Sequence, residues 1–108
     1  MAKSKKLRPI PPGEILLAEF LEPLSLSQNK LAIALGVSPP RVNALVRGKY
    51  RITPELALRL GRFFRTGPEL WMNMQKDFDL EVAQDELSEE IERTVRPISN
   101  ELLDGAPA

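Results

Sequence analysis

Apolar residues recur along this chain at spacings of three and four, which is the period of an α-helix. No segment alternates convincingly between apolar and polar residues, as a half-buried strand would. Prolines and glycines divide the pattern, since Pro is favoured in the first turn of a helix and Gly just after its last turn. The pattern therefore predicts an all-α fold.

The first two predicted helices are short. One begins at Pro12 and ends at Pro23, with a buried stripe drawn from Ile15, Leu16, Ala18 and either Phe20 or Leu21. The next has Ser27 as its N-cap, because a serine hydroxyl accepts a hydrogen bond from a free backbone N–H group in the first turn. It ends at Gly36, which suits the left-handed conformation that commonly follows a last turn.

The fourth and fifth helices occupy the second half of the chain. The fourth begins at Pro54 and ends near Gly67, and the fifth begins at Pro68 with Trp71 in the core. Pro97 ends the fifth helix, and we expect the last residues of the chain to fray. The fifth helix continues as an apolar stripe, consisting of Leu80, Ala83, Leu87, Ile91 and Val95.

Residues 28–47 have the layout of a DNA-binding helix-turn-helix, in which one short helix braces another at a steep angle. Ala32 is small enough for the crossing of the two helices, Gly36 permits the tight turn, and Val37 fills the corner. Three residues of the third helix should face inward and anchor it, namely Val42, Leu45 and Val46. The same apolar pattern also suits a small helical bundle, so the exposed residues carry the functional argument.

The third helix is predicted to start at Ser38 and to stop at Gly48, and its outer face has the chemistry of a base reader. Asn pairs well with adenine and Arg with guanine, so Asn43 and Arg47 are the principal candidates, while Ala44 leaves room for a thymine methyl group. The full set of candidate base contacts is Ser38, Pro40, Arg41, Asn43, Ala44 and Arg47.

Five further residues are candidate contacts to the DNA backbone. Gln28, Asn29 and Lys30 begin the bracing helix, whose free N–H groups favour a phosphate. Lys49 and Arg51 follow the reading helix and add positive charge. The alternatives are that Gln28 and Asn29 only cap their helix, and that the two basic residues belong to a solvated loop.

Composition narrows the function classes. The chain has 108 residues, the size of one domain, with 43% hydrophobic and 28% charged residues. It contains neither Cys nor His, which removes disulfides, thiolate nucleophiles and the commonest general base and metal ligand. The carboxylates at residues 85, 86, 89 and 90 are typical of a solvated helix face rather than of a metal or acid–base cluster. We therefore assign no catalytic, metal or cofactor site, and expect the chain not to be an enzyme.

Charge is distributed unevenly along the chain. Residues 1–76 contain 13 Lys and Arg against 5 Asp and Glu, whereas residues 77–108 contain 2 against 10. A basic stretch favours a polyanionic partner, and an acidic one can meet a basic protein. We divide the chain into a basic N-terminal arm (1–11), a helix-turn-helix domain (12–80), and an acidic helical extension with a frayed tail (81–108). No apolar run follows the N-terminal lysines, so we expect a cytoplasmic protein with no membrane partner.

Longer motifs go beyond a bare helix-turn-helix. They are SQNKLA at 27–32, LGVS at 35–38, RGK at 47–49, RITP at 51–54, ALRL at 57–60 and FF at 63–64, with PGEIL at 12–16 and PELW at 68–71. Over roughly residues 8–82 the chain resembles the HigA family of addiction-module antidotes, of the Xre, lambda-repressor-like class. Pro11 and Tyr50 depart from the family pattern, which often has His before Pro-Gly-Glu and a basic residue between Lys49 and Arg51.

The resemblance implies a five-helix domain that homodimerises, represses its own operon at a palindromic operator and neutralises HigB, a small ribonuclease toxin. The apolar stripe is then a candidate seam for a second copy or for the toxin, although packing against its own domain explains the spacing equally well. Two other functions remain open from the sequence. One is a solitary Xre-type transcriptional regulator without a toxin, and the other is an adaptor that binds only proteins.

Overall fold

The computed structural model describes residues 8–105, which are helical and contain no strand. The elements are α1 (Pro12–Leu16), continued by a π-helical turn (Leu17–Leu21), then α2 (Gln28–Leu35), α3 (Pro39–Val46), α4 (Pro54–Phe64), α5 (Pro68–Thr94) and α6 (Asn100–Gly105). The all-α prediction is confirmed. Most of the basic N-terminal arm, including its three lysines, lies outside the described residues, as do the last three residues of the tail.

Helix boundaries coincide with side-chain caps and with glycines. The hydroxyls of Ser27, Ser38 and Thr53 accept hydrogen bonds from the backbone N–H groups three residues later, at 3.1, 3.4 and 3.2 Å. Gly36 and Gly48 have φ angles of 74° and 75°, in the left-handed region that a residue without Cβ adopts at low cost. Each helix of the helix-turn-helix therefore starts and stops where its own sequence specifies.

The buried stripe of the first helix differs from the predicted one. Leu16 and Leu21 are both buried, at 0% and 2% exposure, whereas Ala18 is exposed. The cause is the π-helical turn, in which the Glu22 N–H donates to the Leu17 carbonyl five residues earlier at 2.9 Å. A wider turn brings residues five apart onto nearly the same face, so the α-helical spacing selected the wrong residue at 18.

The core joins α1, α4 and α5 through an aromatic cluster. Trp71 is fully buried, as predicted, and its indole N–H donates to the hydroxyl of Thr66 at 2.9 Å. The rings of Phe20 and Phe64 lie 4.9 and 5.8 Å from that of Trp71. Because this cluster fixes the first turns of α5 against α1 and α4, the N-terminal half of the long helix has a definite position on the domain.

Helix α5 runs without interruption to Thr94, and beyond its first half it leaves the core. Residues 100–105 form α6, where the Ser99 hydroxyl accepts from the Leu102 N–H at 3.2 Å, and the fraying expected for the last residues stays a prediction. All residues of α6 are exposed. No helix within residues 8–105 is long and apolar enough to cross a membrane.

Candidate nucleic-acid interface

Helices α2 and α3 pack in the predicted helix-turn-helix arrangement. Ala32 is fully buried at the crossing, and Val37 is half-buried against the core at the corner. The predicted anchors of α3 are all buried, with exposures of 1% for Val42, 1% for Leu45 and 6% for Val46. One side of α3 is thus fixed to the domain, which leaves its opposite side as a rigid outer face.

The structure places the candidate base contacts together on that outer face. Ser38, Pro40, Asn43 and Arg47 are exposed, and Ala44 is half-buried between them. Among residues 8–105, neither the Asn43 nor the Arg47 side chain has a hydrogen-bond or ion-pair partner within the chain. A bidentate amide and a guanidinium one turn apart are therefore available to a ligand.

Arg41 is held more tightly than its neighbours on α3. Its guanidinium pairs with the Glu55 carboxylate at 3.2 Å and lies over the ring of Tyr50, 5.1 Å from the centroid. Its Nε is buried without a hydrogen-bond acceptor in the described chain. Tyr50, one of the two departures from the family pattern, thus supports the Arg41 side chain from below rather than adding a positive charge.

Glu55 is the centre of a network that sequence reasoning missed. Besides Arg41, its carboxylate accepts from Arg59 Nε at 2.9 Å, and Arg59 Nη1 donates to the carbonyl of Leu35 at 2.8 Å. Hydrogen bonds from Arg41 and then Arg59 lower the pKa of the Glu55 carboxyl below its usual value. The network links the first turn of α4 to the reading helix and to the end of α2.

The candidate backbone contacts lie in the first turn of α2 and in the loop that follows α3. Asn29 and Lys30 are exposed and Gln28 is half-buried in the first turn of α2. Lys49 is exposed and has no partner within residues 8–105, whereas Arg51, also exposed, pairs with Asp79 of α5 at 2.7 Å. Of these two loop residues, Lys49 is therefore a free cation within residues 8–105, whereas Arg51 is paired with a carboxylate.

Gln75 secures this loop to α5. It is 3% exposed, its Oε1 accepts from the Ile52 backbone N–H at 2.7 Å, and its Nε2 donates to Asp79 Oδ1 at 2.9 Å. The hydrogen bond from Arg51, followed by that from Gln75, lowers the pKa of the Asp79 carboxyl. Gln75 follows the core residue Trp71 by one helical turn, so a polar residue on the buried face was the sequence signal that could have predicted this contact.

Within residues 8–105 the apolar stripe does not pack against its own domain from Leu87 onward, so that interpretation was wrong for the outer part of the stripe, whereas Leu80 and Ala83 line one groove with Arg51. Leu80, Leu87, Ile91 and Val95 are 54%, 44%, 50% and 60% exposed, and Ala83 is half-buried. Leu80, Ala83, Leu87 and Ile91 lie on one face of α5, while Val95 follows the last residue of the helix with an extended backbone.

Comparison with known proteins assigns this chain to a protein family. The model of the Helix-turn-helix family matches residues 17–71. Virulence-associated protein I of Dichelobacter nodosus is 46% identical over 83 residues, which cover 77% of each chain. Antitoxin HigA-1 of Vibrio cholerae is 36% identical over 98 residues, covering 91% of this chain and 90% of that one.

A solved structure agrees with these relatives. The structure of Pseudomonas aeruginosa antitoxin HigA with the higBA promoter superimposes with a TM-score of 0.82 at 43% sequence identity, covering 85% of this chain and all of that one. The similarity thus includes the fold, the helix-turn-helix and most of α5. This chain is a helix-turn-helix protein and belongs to the HigA family of antitoxins.

Proposed function

We propose that this chain is the sequence-specific DNA-binding antitoxin of a HigBA-type module, in which it represses its own operon and neutralises a ribonuclease toxin. The observation that carries the proposal is the rigid outer face of α3, where Asn43 and Arg47 are exposed and unpaired within the described chain. The Pseudomonas aeruginosa relative was solved with the higBA promoter, which supports DNA as the ligand of this face.

In this proposal α3 enters the major groove. Asn43 makes a bidentate contact with an adenine, Arg47 makes one with a guanine, and Ala44 receives a thymine methyl group. Ser38 and Pro40 contact base edges at the start of the helix, where the chain approaches DNA most closely. Arg41, held by Glu55 and Tyr50, reaches the edge of the same face with a restricted set of rotamers.

Phosphate contacts set the position of the domain on the duplex. The N-terminus of α2 presents backbone N–H groups with Gln28, Asn29 and Lys30 beside them, and this arrangement favours an anion. Lys49 and Arg51 contact the DNA backbone at the far end of α3. Such contacts contribute affinity for any sequence and do not distinguish bases.

The proposal includes a homodimer. One reading helix contacts only a few base pairs, so a twofold pair that reads a palindromic operator is needed to select one site among genomic competitors. The exposed stripe on α5 supplies an apolar surface for the second copy. Its acidic surroundings, which continue into α6, would be repelled by phosphates and so face away from the DNA, where they attract a basic toxin.

No enzymatic activity forms part of the proposal, because the chain acts by binding DNA and protein. Co-expression with the neighbouring gene product tests the antitoxin role. We expect that this chain rescues the growth of cells that produce the neighbouring protein and that the two proteins copurify. Operator binding without rescue would instead identify a solitary regulator of the same fold.

Binding to the DNA upstream of the gene tests the repressor role. We expect a protected palindrome in footprinting, lost in the Asn43→Ala with Arg47→Ala double variant. Asn73→Ala is the matched control, since Asn73 is exposed on α5 outside the proposed interface. A chain that rescues growth but binds no DNA would be an adaptor for proteins and would contradict the repressor role.

A further inference from the structure

The loop that follows the reading helix carries a cation whose charge is already paired. Arg51 Nη2 lies 2.7 Å from Asp79 Oδ2, and both side chains are partly open to solvent, at 59% and 40% exposure. Lys49, two residues earlier, has no such partner within residues 8–105. The two basic residues that we place on the DNA backbone therefore differ in the charge that they present.

Asp79 itself is held in place from the side opposite Arg51. Its Oδ1 accepts from Gln75 Nε2 at 2.9 Å, and Gln75 is fixed in turn because its Oε1 accepts from the Ile52 N–H at 2.7 Å. A buried amide with both of its ends bonded has little freedom to rotate. The carboxylate is thereby held beside the loop, next to Arg51.

We propose that Asp79 is a positioning residue that weakens the DNA-backbone contact of Arg51, so that α5 limits the sequence-independent part of DNA affinity. The inference rests on the proposed DNA-binding function. A guanidinium has five N–H donors in a fixed fork, so Arg51 keeps donors for a phosphate while one of its nitrogens bonds Asp79. The neighbouring carboxylate nevertheless repels that phosphate, and a cation already neutralised by protein releases fewer counterions from the duplex.

The attenuation has a consequence for recognition. Affinity from phosphate contacts is the same for operator and for random DNA, and it grows as each uncompensated cation is added. A domain that presents fewer free cations to the DNA backbone spends less time on nonspecific DNA sites. Its base contacts from α3 remain unchanged. Asp79 thus lowers total affinity while leaving base discrimination intact.

A double-mutant cycle tests the proposal. Binding of the full chain to a random-sequence duplex of about three helical turns is measured at several salt concentrations from about 50 to 200 mM. We expect Asp79→Asn to tighten binding about two- to fivefold and to steepen the plot of log affinity against log salt by up to about 0.9. Arg51→Ala should weaken binding more in the Asp79→Asn background than in the wild type, because only there is Arg51 fully available.

Two controls separate this effect from others. Asp77→Asn removes the same formal charge from the same helix, at a side chain that contacts Lys76 and not Arg51, and should change the salt slope less. Asp79→Glu keeps the charge and should keep wild-type behaviour. Thermal unfolding of each variant shows whether a loss of fold contributes.

The outcomes that overturn the inference are distinct from failure of the proposed function. Equal losses for Arg51→Ala in both backgrounds, with wild-type DNA binding intact, would show that Asp79 has only a structural role. An equal tightening by Asp77→Asn and Asp79→Asn would assign the effect to net charge and would also overturn it. A wild-type chain that binds neither random DNA nor the DNA upstream of its gene would overturn the proposed function and the inference together.

Discussion

Gly13 lies directly against the main-chain carbonyl of Leu45, so that a Cβ atom at residue 13 would overlap the Leu45 oxygen. The contact brings α1 onto the last turn of the reading helix, where Leu45 itself is buried in the core. Backbone on backbone is the closest approach that two helices can make. Through this contact α1 packs directly against α3.

Gly13→Ala should therefore destabilise the fold and displace α3. Because the obstructing atoms are backbone rather than the end of a flexible side chain, we expect a loss of about 1 to 3 kcal/mol in the free energy of unfolding. Urea denaturation followed by circular dichroism measures it. Gly105→Ala is the control, since a Cβ there meets nothing within 4 Å. Equal stability of the two variants would contradict the packing of α1 on α3.

Base recognition is tested at the two unpaired residues of α3. Asn43→Ala and Arg47→Ala should each lower affinity for the operator by about 1 to 3 kcal/mol and leave random-sequence binding nearly unchanged, because each removes a bidentate base contact. Fluorescence anisotropy on both duplexes gives the comparison. Equal losses on both would reassign these side chains to phosphates.

Substitution of Lys49 tests the part of DNA affinity that does not depend on base sequence. Lys49→Ala should weaken binding to every duplex alike and reduce the salt slope by roughly one counterion, since Lys49 has no partner within residues 8–105 that already neutralises it. Lys76→Ala is a matched control, as Lys76 is exposed on α5 beside Asp77. If Lys49→Ala and wild type had the same slope of log affinity against log salt, Lys49 would be a residue of a solvated loop that does not contact DNA.

The Glu55 network predicts a dependence of stability on pH. Arg41 and then Arg59 lower the pKa of Glu55 in the folded chain, so the folded state favours the ionised carboxylate. This contribution is present at pH values above the ordinary pKa of Glu and is lost as the pH falls through the lowered one. Glu55→Gln should therefore flatten the decrease in melting temperature on acidification. An unchanged pH profile would show that the network adds no stability.

The parts of the fold that the sequence predicted are those decided by neighbouring residues. Ser27 and Ser38 bond groups three residues away, and Gly36 and Gly48 adopt their left-handed φ within a single turn, so these helix ends are encoded locally. The outer face of α3 follows from the same local period, because Val42, Leu45 and Val46 fix the opposite side. The candidate base contacts could thus be placed on one face without a structure.

Contacts between distant residues could not be read in this way. Arg41 meets Glu55 across 14 positions, Ile52 meets Gln75 across 23, and Arg51 meets Asp79 across 28. Each pair depends on how the helices pack, which the charge pattern along the chain does not specify. These contacts decide how much positive charge the DNA-binding face presents, which is why Arg51 and Lys49 looked equivalent in the sequence.

In the proposed homodimer, the apolar stripe of α5 is the contact between the two copies. Its residues are about half exposed in the described chain, and they recur at the spacing that keeps one face of a helix continuous. In an antiparallel twofold pair centred on Leu87, that residue would meet its own copy while Ala83 faced Ile91, so the stripe is complementary to itself. A twofold helix-turn-helix dimer on DNA reads half-sites about one helical turn apart, roughly 34 Å, or a multiple of it.

Leu87→Asp with Ile91→Asp should yield a folded monomer with much weaker operator binding. A carboxylate at either site would be buried without a partner in the dimer, whereas both sites are exposed in the single chain, so the fold should survive. Analytical ultracentrifugation with circular dichroism measures both properties, and Ser88→Asp, which adds a carboxylate on α5 outside the stripe, is the control. A folded double variant that stayed dimeric would place the dimer contact elsewhere. A monomeric wild type at micromolar concentration would contradict the homodimer itself, because the stripe would then not join two copies of the chain.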